Sequence, residues 1–211
     1  MENKRNIKDV QRKSLLLLYS RHALIYFFIF LHPHTQATLP FPASTMASNI
    51  LNLLRSAELV RVGGAAPSSS TLLGFDALKG KVLLLYFSAS WCPPCRRFTP
   101  ILKSFYEEVA KKSPVEVVWV SSDDSQKEWN DYGSKMAPYL AVPYTNVALR
   151  TKLKQELGVC AGKEQGIVGV KERKRGIPTL AVIKPDGTVV TLEGDEQVEK
   201  EGAAVLQEWG L

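Results

Sequence analysis

Two cysteines, Cys92 and Cys95, lie in Trp91-Cys92-Pro93-Pro94-Cys95-Arg96, directly after the apolar run Val82-Leu83-Leu84-Leu85-Tyr86-Phe87. A Cys-x-x-Cys pair at the junction of a buried strand and a helix start is a dithiol that can open and close as a disulfide. The thiolate is the attacking species, and an ordinary cysteine with a pKa of ~8.5 is mostly protonated at neutral pH. Cys92 falls where the unpaired N–H groups of a first helical turn converge and the helix dipole is positive, with Arg96 and Arg97 close by. Cys92 is therefore the expected nucleophile. Cys95, one turn further in, is the expected resolving thiol: it attacks the mixed disulfide on Cys92 and leaves the pair oxidised.

Two other chemistries use the same residues less well. A zinc site wants four Cys or His ligands, whereas the third cysteine is Cys160 and the three histidines, His22, His32 and His34, all fall in the first 45 residues. No metal is expected. A structural disulfide closing so short a loop would add little stability.

These residues need elements to position them. Val82–Ser88 and Val115–Ser121 are continuous apolar runs of the kind found in buried parallel strands. Between them, residues 95–112 read as a helix that Pro100 should kink. Residues 50–59 read as a short amphipathic helix and 60–64 as an edge strand or turn; 126–135 and 148–157 read as helices. Thr179–Ile183 and 188–192 flank the hairpin signal Pro185-Asp186-Gly187, and a last helix is expected over 198–209. Gly176-Ile177-Pro178-Thr179 starts the first hairpin strand, and a proline after isoleucine there is a candidate cis peptide. Strand, helix, strand, helix, then hairpin and helix predicts an α/β fold with a central mixed sheet covered by helices on both faces.

On these residues the chain resembles the thioredoxin-fold proteins, and among them the nucleoredoxin and tryparedoxin group. The resemblance rests on residues 86–96, Phe98-Thr99-Pro100, Phe105-Tyr106-Glu107, Val120-Ser121-Ser122-Asp123 and Gly176-Ile177-Pro178-Thr179-Leu180, and covers roughly residues 55–195. It implies a CPPC protein-disulfide reductase with no bound cofactor, supplied with electrons by an external reductase or a low-molecular-weight thiol. It further implies that Pro178 is cis with its loop against the disulfide, that Ile177 contacts substrate through its backbone, and that Trp91 shields the dithiol. Pro93, Pro94 and Arg96 complete the expected active-site support. Pro93-Pro94 stands where generic thioredoxins carry Gly-Pro, and Tyr86 where they bury a carboxylate. Asp123, Asp124 and Glu128 could replace that carboxylate but read more simply as solvated acids at a helix start. Ser122 is the nucleoredoxin-like residue at a place where tryparedoxins carry tryptophan.

The 211 residues, 45% hydrophobic, suffice for one domain with its own core, and three cysteines suit a reducing compartment. Of the net charge of +6, residues 1–45 hold six Lys/Arg against two Asp/Glu and the rest 21 against 19, so nucleic-acid binding is not expected. Residues 1–45 read as an extension outside the fold, and 46–211 as the domain. The apolar stretches within 15–31 are too short and broken for a spanning helix, so a membrane enters only if they act as an anchor. A start at Met46 predicts a cytoplasmic or nuclear protein; a signal or targeting segment predicts the secretory pathway or an organelle. Residues 160–175 form an unusually long insertion ending in Lys171-Glu172-Arg173-Lys174-Arg175, expected to be a solvated loop, although its basic cluster could select acidic partners. A monomer acting on protein disulfides is expected. Two rival functions remain: a redox-sensitive binding module, and a disulfide oxidase or isomerase of a secretory compartment.

Overall fold

Every residue of Val82–Ser88 (β2) is buried, which requires cover on both faces of the strand. Alternate side chains point opposite ways. Val82, Leu84 and Tyr86 pack with Phe98, Leu102 and Phe105 of Pro93–Val109 (α2), while Leu83, Leu85 and Phe87 pack with Ile50 and Leu54 of Ala43–Arg55 (α1) and with Leu149 and Leu153 of Val147–Leu157 (α4). The computed structural model describes residues 43–64 and 72–211, with side chains from residue 49 onward. The expectations for the extension before residue 43, including its apolar stretches, lie outside the described residues.

The sheet runs β1-β4-β3-β2-β5-β6, with β1 at Val60–Arg61, β3 at Val115–Ser121, β4 at Leu140–Ala141, β5 at Thr179–Ile183 and β6 at Val189–Thr191. β2 pairs parallel with β3, and β3 with β4; the β1–β4, β2–β5 and β5–β6 pairs are antiparallel. The expected mixed sheet with helices on both faces is present. Gln126–Gly133 (α3) joins the α2 face through Trp129 and Tyr132. Among the described residues, no helix is long and apolar enough to cross a membrane.

Several elements differ from expectation for identifiable reasons. α2 begins at Pro93 rather than residue 95, because prolines are well suited to a first turn that has no intrahelical N–H bond to lose. The helix continues through Pro100. The single C-terminal helix expected over 198–209 is instead Gly194–Glu201 (α5), a 3₁₀ turn and Val205–Glu208, broken at Gly202, where φ is +56°. The two-residue β4 lies in a run too short to register as a strand.

The largest correction concerns 160–175. This insertion holds a 3₁₀ turn at Gly162–Glu164 and a helical turn at Gln165–Val168. Its ends are pinned together: the Gly158 carbonyl accepts Lys174 N–H at 2.8 Å, and Cys160 N–H donates to the Arg175 carbonyl at 3.3 Å. It is an Ω-loop rather than a freely solvated one. Gly158 closes α4 at φ +67°, and a side chain there would meet the Glu172 carbonyl.

Candidate active site

Cys92 is the N-cap of α2. Its backbone is extended (φ −89°, ψ 110°), and its Sγ accepts the Cys95 N–H at 3.3 Å. Pro93 and Pro94 fill the first two helical positions and are exposed. Cys92 and Cys95 are joined as a disulfide with Cα atoms 5.2 Å apart. Cys92 is 4% exposed and Cys95 fully buried, so Cys92 is the cysteine that solvent reaches.

Trp91, Ala89 and Ile177 pack around the two cysteines. The half-buried Trp91 donates its indole N–H to the Ser122 carbonyl at 3.1 Å. The Ile177–Pro178 bond is cis, and the Ile177 carbonyl oxygen lies 3.6 Å from Cys92 Sγ. With that sulfur in a disulfide, the approach is a contact; a reduced thiol would have a proton to donate there. Arg96 is exposed and turns its guanidinium back to the Ser90 carbonyl at 2.9 Å. Beside it opens a cleft of about 570 Å³, with Ser90, Thr99 and Tyr132 on its wall.

Behind Cys95 stands a chain of hydroxyls that the sequence did not suggest. Thr99 Oγ1 donates to the Cys95 carbonyl at 2.9 Å and lies 2.9 Å from Tyr86 Oη and 2.5 Å from Tyr132 Oη. Burial, and then the neighbouring Tyr132, hold the Tyr86 phenol well above its usual range. Tyr86 is therefore a neutral phenol at physiological pH, with no base to offer.

Asp123 corrects the reading of solvated acids after β3. It is 5% exposed, accepting Ser90 N–H at 2.7 Å on one oxygen and Ser121 Oγ–H at 2.7 Å on the other. The carboxylate thus ties the strand end to the residue two before Cys92. Asp124 does lie at the surface, and Glu128 Oε2 accepts from Asp124 N–H and Ser125 Oγ–H at the start of α3. Two contacts distinguish Asp123 from Asp124, the local one with Ser121 and the distant one with Ser90.

The 160–175 loop reaches the site through two neighbouring side chains. Glu164 accepts from Ser122 Oγ–H at 2.6 Å and Ala161 N–H at 2.9 Å, and pairs with the buried Lys154 ammonium at 2.7 Å. Lys163 lies over the Trp91 ring, 3.8 Å from its centroid. Cys160, at the base of the loop, is fully buried, and burial followed by the charge of Glu164 pushes its thiol up, away from reactivity. Among the described residues, no cluster of three or more His, Cys, Asp or Glu could hold a metal ion.

A family model described as Thioredoxin-like matches residues 80–189. The chain is 38% identical to probable nucleoredoxin 1 of Arabidopsis thaliana over 128 residues, which are 61% of this chain and 19% of that one. It is 36% identical to tryparedoxin of Trypanosoma brucei brucei over 132 residues, 62% of this chain and 81% of the relative. Tryparedoxin II from C. fasciculata superposes with a TM-score of 0.56 at 33% identity, covering 75% of this chain and 92% of the other. The chain spans 19% to 30% of the length of the nucleoredoxins it matches.

Proposed function

The chain belongs to the thioredoxin-like family, in the group that holds nucleoredoxins and tryparedoxins, and from that membership we propose that it reduces protein disulfides through Cys92 and Cys95. The carrying observation is the asymmetry of the pair: Cys92 caps α2 and meets the Cys95 N–H, while Cys95 lies fully buried behind it. A thiolate on Cys92 is favoured by that N–H and by the positive end of the helix.

In the first step Cys92 Sγ⁻ attacks one substrate sulfur; the substrate S–S bond breaks, a mixed disulfide forms and the other substrate sulfur leaves as a thiolate that takes a proton from solvent. In the second step Cys95, losing its proton, attacks Cys92 Sγ. The second substrate thiol departs, and two electrons have passed from the dithiol to the substrate. An external reductase or a low-molecular-weight thiol then reduces Cys92–Cys95. Trp91 and Ile177 exclude water from the sulfurs, and the Ile177 carbonyl is the backbone group against which a substrate segment lies. Pro93 and Pro94 set the first turn of the helix, Pro178 shapes the opposing loop, and Arg96 fixes the Ser90 carbonyl.

The test is turnover of insulin disulfides together with trapping. Cys92→Ser abolishes reduction, whereas Cys95→Ser accumulates stable mixed disulfides with many proteins. The reading fails if the Cys95→Ser variant traps nothing, or if Cys95 alkylates faster than Cys92 in the reduced protein near neutral pH.

A further inference from the structure

The charges around Cys92 have different fates. Arg175, which ends the basic run of the loop, is consumed by Glu193, Asp195 and Glu196, at 3.3, 3.4 and 2.7 Å. Asp123, the acid bound two residues before Cys92, is buried and turned inward. Both signs face outward further off, with Glu128 and Asp131 lining the cleft beside Arg96, Lys103 and Lys135, and Glu193 and Glu196 exposed around Arg175; against the immediate neighbours of Cys92 and Ile177 lie three cations. Arg96 lies on the Ser90 carbonyl and Lys163 on the Trp91 ring. Arg173 stands over Gly176, where an added Cβ would lie 3.1 Å from its Nη1. Each cation thus touches a residue within two positions of Cys92 or Ile177. Among the described residues, Arg96 and Arg173 have no carboxylate within 4.0 Å, and Lys163 shares an exposed pair with Asp124, which offsets its charge only in part.

The loop is built to hold this arrangement. Lys163 is placed by its neighbour Glu164, which is locked by Lys154, Ser122 and Ala161. Arg173 is placed by the Lys174 N–H bond to Gly158 that closes the loop.

Building on the reductase reading, we propose that the 160–175 loop is a selectivity wall. With Arg96, it makes the rim of the dithiol positive and selects polypeptide disulfides whose cysteines are flanked by Asp or Glu. An acidic flank is drawn to the rim in the encounter with Cys92, and a basic flank is repelled.

Two matched peptide disulfides, one with Glu and one with Lys on either side of the cystine, are reduced by the full chain in its dithiol form under single-turnover conditions. Each rate is divided by that with dithiothreitol, because flanking charge also alters the leaving thiol. The Glu peptide is expected to react about tenfold faster at low ionic strength, with the ratio approaching one near 1 M salt, where the screening length is only about 3 Å. Arg173→Glu lowers the ratio at least about threefold, and Arg173→Lys retains it, as charge rather than shape decides. Lys163→Gln lowers it less. Oxidised glutathione, which has carboxylates but no extended chain to lie along Ile177, is slower than the Glu peptide; equal rates would overturn the polypeptide part of the proposal. A ratio of one at low salt, or one untouched by Arg173→Glu, overturns the selectivity wall while leaving the reductase standing. Failure to reduce either peptide overturns the reductase reading itself.

Discussion

The two sides of Cys92 are held in unlike ways. On the helix side, the N-cap sulfur, the two prolines and the Cys95 N–H act within four residues of one another. On the loop side, Lys163 reaches Trp91 because its neighbour Glu164 is bound to Lys154 ten positions away and to Ser122 forty-two positions away. A local cap forms whenever its helix forms. An ion pair buried between distant segments exists only in the complete fold, and it is unforgiving when one partner is removed. The proposed nucleophile is thus built on the part of the site that depends least on the rest of the molecule, and the proposed selectivity wall on the part that depends most.

The sharpest way to break this contrast is to unlock the loop. Glu164→Ala leaves the Lys154 ammonium, 3% exposed, without its partner, and should cost about 3–5 kcal/mol. Urea unfolding gives the loss, and hydrogen exchange should place the earliest opening within 160–175 while α2 stays protected. A double change, Lys154→Met with Glu164→Leu, should recover most of the stability, since a well-packed apolar pair can replace a buried ion pair. A loss under about 1 kcal/mol for Glu164→Ala would mean that the loop is held by something else.

A smaller effect probes the back of the helix side, where the locality ends. Thr99→Val removes the hydroxyl shared by the Cys95 carbonyl, Tyr86 and Tyr132. Stability should fall by about 1–2 kcal/mol, because the buried Tyr132 hydroxyl loses its partner, while Tyr86 keeps the Cys95 carbonyl at 3.3 Å. Reactivity of Cys92 toward a small alkylating agent should change little; a large change would show that the hydroxyl chain, and not the cap alone, sets the nucleophile.

Alkali should separate the two sides with the least perturbation. Tyr86 and Tyr132 are raised from 10.0, chiefly by burial, so their contribution to stability is full below pH 10 and is lost as pH climbs toward their folded values. Lys154 is lowered from 10.5 by burial, against the opposing pull of Glu164, so the folded state binds fewer protons there than the unfolded one and stability rises with pH just below 10.5. Unfolding free energy measured against pH should show a less favourable slope in that window once Lys154 and Glu164 are replaced by Met and Leu. An identical slope in the two proteins would remove the distinction.

Cysteine spacing, the apolar runs of β2, β3 and β5, and the Pro-Asp-Gly hairpin were readable because each is a pattern within a few residues. Pro178 and Trp91 were placed by resemblance, which carries tertiary information that no local pattern holds. The insertion misled because Gly, Lys and Arg are ordinary loop residues, and its order comes from Glu164 and from bonds at Gly158 that composition does not reveal. Asp123 misled in the opposite sense: beside Asp124 it reads as surface, yet it is sequestered by Ser90 and Ser121.

By itself the sequence determined a dithiol at a helix start, the strands that carry it and the order of elements, since helical hydrogen bonding and strand side-chain alternation depend on neighbours two to four positions apart. Only the tertiary structure decided which acid was buried, which hydroxyls gathered behind Cys95 and which cations border Cys92. Those outcomes depend on distant residues meeting at one point, as Asp123 with Ser90 and Tyr132 with Thr99 do from 33 positions apart and Glu164 with Ser122 from 42, and side chains of the same type become buried partners or solvated surface according to what the fold sets against them.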